Sequence, residues 1–181
     1  MDRSVAKPRM IVLVGLSGAG KSTVGPVVAA RLGWTFVDLD ELVEDEAGQS
    51  VAELFDELGE AGFRALEHSA TRSLADRHEV VLASGGGWMI DPTNLAALSP
   101  EESVMTVYLR VSLEVAVARM GAGKMSRPLL AGHRPVETLQ SILEARGAAY
   151  LQANHTVKVD LMTPDQIADT IVALATGQTP D

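Results

Sequence analysis

Short apolar runs alternate with longer stretches of helical period along most of the chain. Met10–Val14, Thr35–Asp38, Val80–Ala83, Val104–Leu109 and Thr156–Val159 are continuous apolar runs more than alternating ones, the pattern of strands buried on both faces. Between them, apolar positions recur at helical spacing over Ser22–Leu32, Asp40–Ala47, Val51–Leu58, Gly62–Ala75, Leu113–Met120, Pro135–Ala153 and Pro164–Ala175. Two of these helices announce their starts: Ser50-x-x-Glu53 has the form of a capping box, and Thr163-Pro164-x-Gln166 sets a cap before a proline. Strands alternating with helices predict an α/β fold built on a parallel sheet with crossover helices. Residues 1–9 form a polar tail, residues 10–176 a single domain and residues 177–181 a C-terminal tail. The stretch from about 121 to 134 lacks an apolar period, and a loop that long in a compact domain is a lid or binding loop, or else an ordinary surface loop.

The first strand runs into Gly15-Leu16-Ser17-Gly18-Ala19-Gly20-Lys21-Ser22, a full match to G-x-x-x-x-G-K-[ST], and a helix follows. In that context the glycines let backbone N–H groups turn inward around phosphate oxygens, and the helix N-terminus adds its positive dipole end. Gly18, Ala19, Gly20, Lys21, Ser22 and Thr23 are the nucleotide-binding candidates. Lys21 is expected to reach the β- and γ-phosphates and the Ser22 hydroxyl to ligate Mg²⁺. The motif alone does not separate a GTPase, a mechanical ATPase and a small-molecule kinase. No Asn-Lys-x-Asp occurs for guanine, and both Asp-x-x-Gly matches, Asp45–Gly48 and Asp56–Gly59, fall in acidic helical stretches where the glycine suits a helix terminus. The apolar run at Val80–Ala83 leads to glycines and not to a Walker-B aspartate.

Other strand ends supply further chemistry, since ligands of open α/β sheets bind at the carboxyl edge. Asp38 and Asp40 close the second strand, one suited to a metal and the other to a substrate hydroxyl. Asp40 is equally a good helix N-cap, and the stretch from Asp38 to Glu60 holds ten acidic residues and no basic one. Gly85-Gly86-Gly87 follows the third strand, where consecutive glycines allow backbone N–H groups to come close to a ligand or simply make a loop. Arg64 sits at an expected helix start that it does not complement. Arg127 lies in the unpatterned segment just before Pro128. Arg146 is in mid-helix, where an arginine most often faces solvent.

Charge narrows the partners. With 15 basic and 24 acidic residues the net charge is −9, which argues against a nucleic-acid binder. With no cysteine there is no disulfide framework and no thiol nucleophile, and no apolar run is long enough to span a membrane. A cytoplasmic monomer that handles a small molecule, without membrane attachment, is the expectation.

Taken in order, Gly15 to Thr23, Phe36-x-Asp38-x-Asp40, Gly48-x-Ser50-Val51-x-x-Leu54-Phe55, Gly59-Glu60-x-x-Phe63-Arg64-x-x-Glu67, Gly85-Gly86-Gly87, Arg127-Pro128-Leu129-Leu130 and Arg146 with Tyr150 resemble the shikimate kinase family of P-loop small-molecule kinases, from about Met10 to Ala175. The resemblance implies a three-layer P-loop fold with a five-stranded parallel sheet and a mobile lid, using ATP and Mg²⁺ to phosphorylate the 3-hydroxyl of shikimate. It implies that Asp40 holds and deprotonates that hydroxyl, that Arg64 and Arg146 grip the carboxylate, and that Gly86 and Gly87 offer backbone N–H groups. Phe55, Phe63 and Glu67 would line or brace the pocket, Ser22 and Asp38 would serve the metal, and Arg127 would close on the transferring phosphate. Four positions depart from the family pattern: Pro26 inside the helix after the phosphate loop, Trp88 where a small residue is usual, Ala148 in place of a proline, and Met120 in place of an arginine for which Arg119 is expected to substitute. Trp88 is expected to narrow or reshape the substrate pocket. Kinases for a related polyhydroxy acid, of aminoshikimate or gluconate type, and an inactive nucleotide-binding regulatory module are the rival readings.

Overall fold

The computed structural model describes residues 7–98, 100, 103–121 and 135–178. Five strands, β1 (Met10–Val14), β2 (Thr35–Asp38), β3 (Val80–Ala83), β4 (Val104–Arg110) and β5 (His155–Lys158), form one all-parallel sheet in the order β2-β3-β1-β4-β5. The central strands β1 and β3 are buried at every position, as their unbroken apolar runs demand. The edge strands differ: β2 is mostly half-buried, and β5 buries only Val157. β5 also begins one residue earlier than its apolar run, at His155, because backbone pairing with Val107 sets its start.

The helices are α1 (Lys21–Leu32), α2 (Leu39–Ala47), α3 (Val51–Ser73), α4 (Pro92–Ala97), α5 (Leu113–Gly121), α6 (Pro135–Tyr150) and α7 (Pro164–Thr176), with a 3-10 turn at Trp88–Ile90. The capping box expected at Ser50 with Glu53 forms, and the cap expected at Thr163 proves to be a capping box as well, with Gln166. The α1 helix runs through Pro26, whose ring is exposed, so the Ser22 carbonyl that loses its intrahelical donor lies where water can serve it. The break expected between two helices falls at Gly59, whose φ 69° and ψ −179° are not helical, so α3 is two helical segments joined at a kink. One expectation needs correction. The α6 helix stops at Tyr150, three residues short of its expected end, and a turn follows. The helix α4 has no apolar period and is not predicted, although Asp91 before Pro92 is a start signal that the structure uses: the Asp91 carboxylate accepts from Thr93 N.

Parallel pairing brings the carboxyl ends of β1, β2 and β3 to one edge. The phosphate loop, the Asp38/Asp40 pair and the triple glycine therefore meet there, although they lie far apart in sequence.

Candidate active site

The phosphate loop turns tightly between β1 and α1, and Gly15, Gly18 and Gly20 all take positive φ. A Cβ at Gly18 would run into the Ala116 carbonyl of α5, so the loop is pressed against that helix. Lys21 is buried, its Nζ donating to the carbonyls of Gly15 (2.8 Å) and Leu16 (3.1 Å), which curls the ammonium back over the loop. Around this turn opens a cavity of about 450 Å³ lined by Gly18 to Val24, Arg119 and the β5–α7 segment at Met162, Pro164 and Ile167. Arg119 is held there by bonds from Nη2 to Val159 O (2.8 Å) and Nη1 to Ala19 O (3.5 Å), next to the loop as its expected substitution for Met120 requires. Met162, Pro164 and Ile167 carry no chemical signature in the sequence and become wall residues only through the packing of α7 beside α1.

The two aspartates at the end of β2 diverge because the chain enters α2 at Leu39. Asp38, not Asp40, is the N-cap: its Oδ1 accepts from Asp40 N at 3.1 Å. Its other oxygen, Oδ2, accepts from the Ser22 hydroxyl at 2.5 Å, joining the two oxygen donors expected to serve the metal. A hydroxyl and a carboxylate side by side at a phosphate loop fit Mg²⁺, a hard cation held by one or two protein oxygens together with phosphates and water. Among the described residues no cluster of three or more His, Cys, Asp or Glu side chains could hold a metal without such help.

Asp40 faces a second cavity on the other side of the phosphate loop. Its walls are Leu16, Ser17, Asp40, Phe55, Phe63, Arg64, Gly85, Gly86, Arg146 and Tyr150, closed by Val51, Leu139 and Ile142. Phe63 stacks on Phe55 with ring centroids 4.5 Å apart, and the Arg64 guanidinium lies 5.5 Å from the Phe63 ring centre. Glu67, one turn on along α3, binds Arg64 Nη1 through Oε2 at 2.8 Å. Burial raises the Glu67 carboxyl above the usual range, against the opposing pull of Arg64, and its Oε1 is buried without a hydrogen-bond partner. Burial alone would lower the Arg64 pKa, but Glu67 and Glu60 outweigh it and hold the guanidinium charge more firmly than usual. Arg146 is buried on α6 and not solvent-facing, which settles the alternative left open by its mid-helix position.

The triple glycine is close-packed. A Cβ on Gly85 would strike Glu67 Oε1, and one on Gly87 would strike the Arg64 guanidinium. Gly86 lines the cavity, whereas Gly87 lies under Arg64 and is not part of the wall. Tyr150 donates its hydroxyl to the Gly86 carbonyl and stacks on Tyr108, with centroids 5.2 Å apart. Trp88 does not narrow this cavity. It is fully buried behind the glycine loop, its Nε1 donating to Thr71 Oγ1 at 2.9 Å. Arg127 and the expected lid at 121–134 lie outside the described residues apart from Gly121, the last residue of α5.

The comparisons with known proteins agree. The family model described as shikimate kinase matches residues 17–176. Shikimate kinase from Geobacter sulfurreducens is 40% identical over 168 residues, covering 93% of this chain and 90% of that protein. Shikimate kinase from a Synechococcus species (strain CC9605) is 37% identical over 166 residues, or 92% and 82% of the two chains. Among solved structures, shikimate kinase from Acinetobacter baumannii in complex with shikimate superposes with a TM-score of 0.87 at 32% identity over 94% of each chain.

Proposed function

Because the chain belongs to the shikimate kinase family, we propose a division of labour among its own side chains for the reaction of that family. The enzyme phosphorylates shikimate with ATP and Mg²⁺. The observation that supports the division best is that the two cavities share the phosphate loop as a wall. Gly18 to Val24 face one cavity, and Leu16 and Ser17 face the other. A phosphoryl donor in the first and a hydroxyl acceptor in the second are then neighbours across a few backbone atoms, and phosphoryl transfer needs little beyond such positioning and charge neutralisation.

On the donor side, the N–H groups of Gly18, Ala19 and Gly20, the Lys21 ammonium and the Thr23 segment at the start of α1 bind nucleotide phosphates. Ser22 and Asp38 hold Mg²⁺, which when bound neutralises phosphate charge. On the acceptor side, Arg64 and Arg146 bind the acceptor carboxylate, Gly86 contributes a main-chain donor from the wall, and the Phe55–Phe63 pair covers the ring. The Asp40 carboxylate accepts the proton of the attacking hydroxyl, aligning the oxygen lone pair on the phosphate loop. Arg127 is assigned to the transferring phosphate on its sequence pattern alone.

A coupled assay of ADP release over shikimate, its uncharged amide and gluconate tests the acceptor. Variants test the roles. Asp40→Asn should lose nearly all turnover while nucleotide affinity stays within about twofold, whereas Lys21→Ala should lose turnover together with nucleotide affinity or the chemical step. Wild-type turnover in Asp40→Asn at saturating shikimate would sink the assigned proton acceptor.

A further inference from the structure

Arg64 and Arg146 reach the acceptor cavity from different helices, yet they share a partner. A single oxygen, Glu60 Oε1, lies 3.2 Å from Arg64 Nη2 and 3.5 Å from Arg146 Nη2. Glu60 follows the Gly59 kink directly, so the bend in α3 sets where this side chain starts. Its side chain is 53% exposed, against 22% for Arg64 and 10% for Arg146: a solvated carboxylate bridges two largely buried guanidinium groups. Glu67 is the contrast. At 1% exposed it is a fixed partner of Arg64, on another guanidinium nitrogen.

The cavity beneath the arginines measures about 60 Å³. Glu60 is not among the residues that line it, so its ion pairs hold the two arginines from outside the cavity wall. Among the groups around the arginines, Glu60 is the one released at least cost, since an exposed ion pair is weak and the freed carboxylate rehydrates in place.

We propose that Glu60 is a placeholder for the acceptor carboxylate, holding Arg64 and Arg146 in register in the unliganded enzyme and giving way when an anionic acceptor arrives. The proposal rests on the reading of Arg64 and Arg146 as the carboxylate-binding pair. It makes Glu60 a specificity-determining residue. An acid replaces the contact it breaks with an equivalent one. A neutral polyol breaks the contact and returns no charge, so Glu60 excludes it. The expected sign is unusual: removing the Glu60 charge tightens binding of the natural acceptor, where loss of a structural residue would loosen it.

The test is titration calorimetry and steady-state kinetics on the full chain with shikimate and its uncharged amide. In Glu60→Gln, Kd and KM for shikimate should fall about two- to fivefold, the worth of an exposed ion pair, with KM for ATP unchanged. The amide should gain at least as much, since in the wild type it breaks the same contact and puts no charge in its place. Glu60→Asp, which keeps the charge but loses the reach to both arginines, should shift shikimate binding in the same direction by a smaller factor. In an Arg64→Ala background the gain from Glu60→Gln should shrink. If wild-type enzyme prefers acid to amide but Glu60→Gln binds shikimate no more tightly, the placeholder is overturned and the arginine assignment stands. If wild-type enzyme shows no preference for the acid, the arginine assignment itself fails, and the placeholder with it.

Discussion

Arg64 shows how much of a binding residue's behaviour is fixed by its neighbours. Its guanidinium lies over Phe63, binds buried Glu67 on one nitrogen and exposed Glu60 on another, and blocks any side chain at Gly87. Four contacts leave the group little rotational freedom, so its charge is aimed before the acceptor enters. Arg146 enters from α6, nearly buried and beside Gly86. Truncating either to alanine should raise KM for shikimate by roughly ten- to a hundredfold, the worth of a charged hydrogen bond at about 1.5–3 kcal/mol. The amide of shikimate gives the control. The wild-type preference for acid over amide should collapse in both variants, and an unchanged preference would remove these arginines from the carboxylate site. Arg64→Ala carries a second cost, because Glu67 is then buried with a carboxyl that has lost its main partner.

At the scale of elements, the glycine loop owes its position to bonds made behind it. Trp88 Nε1 donates to Thr71 Oγ1, and the Thr71 hydroxyl donates in turn to Glu67 O at 2.8 Å, so the turn after the glycines is fastened to the helix that carries Arg64. Asn94, buried on α4, donates to Trp88 O at 3.0 Å and faces His68 Nδ1 at the same distance, adding a second fastening from α4. Thr71→Val would strand the indole N–H in the core, at about 1–3 kcal/mol, whereas Trp88→Phe removes the donor and leaves Thr71 its bond to Glu67 O. The double variant should cost less than the sum of the two, with a coupling above about 0.5 kcal/mol in denaturant titrations. All three variants should raise KM for shikimate more than KM for ATP, since Gly85 and Gly86 line the acceptor cavity and not the nucleotide one. Additive costs with both constants moving together would mean that Trp88 merely fills space.

The whole molecule couples this site to alkaline stability through α6. Tyr150, fully buried and bonded to the Gly86 carbonyl, has its phenol pushed up to about 12 from an ordinary value of 10, chiefly by burial, with Arg146 pulling the other way. A folded-state value above the unfolded one means that the contribution is fully present below pH 10 and is lost as pH rises through about 12. Buried Tyr108, stacked on Tyr150, is shifted in the same direction by the same cause. Urea unfolding measured from pH 9 to 12 should show wild-type stability falling across that window, and Tyr150→Phe should remove much of the slope while lowering stability at pH 8. Parallel curves for the two proteins would show that the phenol is not held in its neutral form.

The helix and strand identities were legible because they depend on local pattern: unbroken apolar runs for β1 and β3, periodic ones for α3 and α7, and caps that work over three residues at Ser50 and Thr163. The phosphate loop was legible for the same reason, its whole chemistry being contained in eight consecutive residues. The edge strand β5 shifted by a residue because main-chain pairing, which has no side-chain signature, sets its ends, whereas β2 lies where its run placed it. The pattern around Asp38 and Asp40 left cap and ligand undecided, and only the entry of the chain into α2 at Leu39 made Asp38 the cap and turned Asp40 toward the acceptor. Trp88 pointed away from the site because Thr71, seventeen residues earlier, offers it a buried acceptor. Glu60 closes an acidic stretch and belongs to the Gly59-Glu60 motif without a role of its own in the sequence, and its link to both arginines exists only because α6 brings Arg146 within 3.5 Å of it. Sequence thus determined the groups that carry the chemistry and the sheet that supports them, since both follow from residue type and spacing. Tertiary structure decided which charges meet, because a contact between α3 and α6 depends on how two helices pack and leaves no trace in the spacing of either.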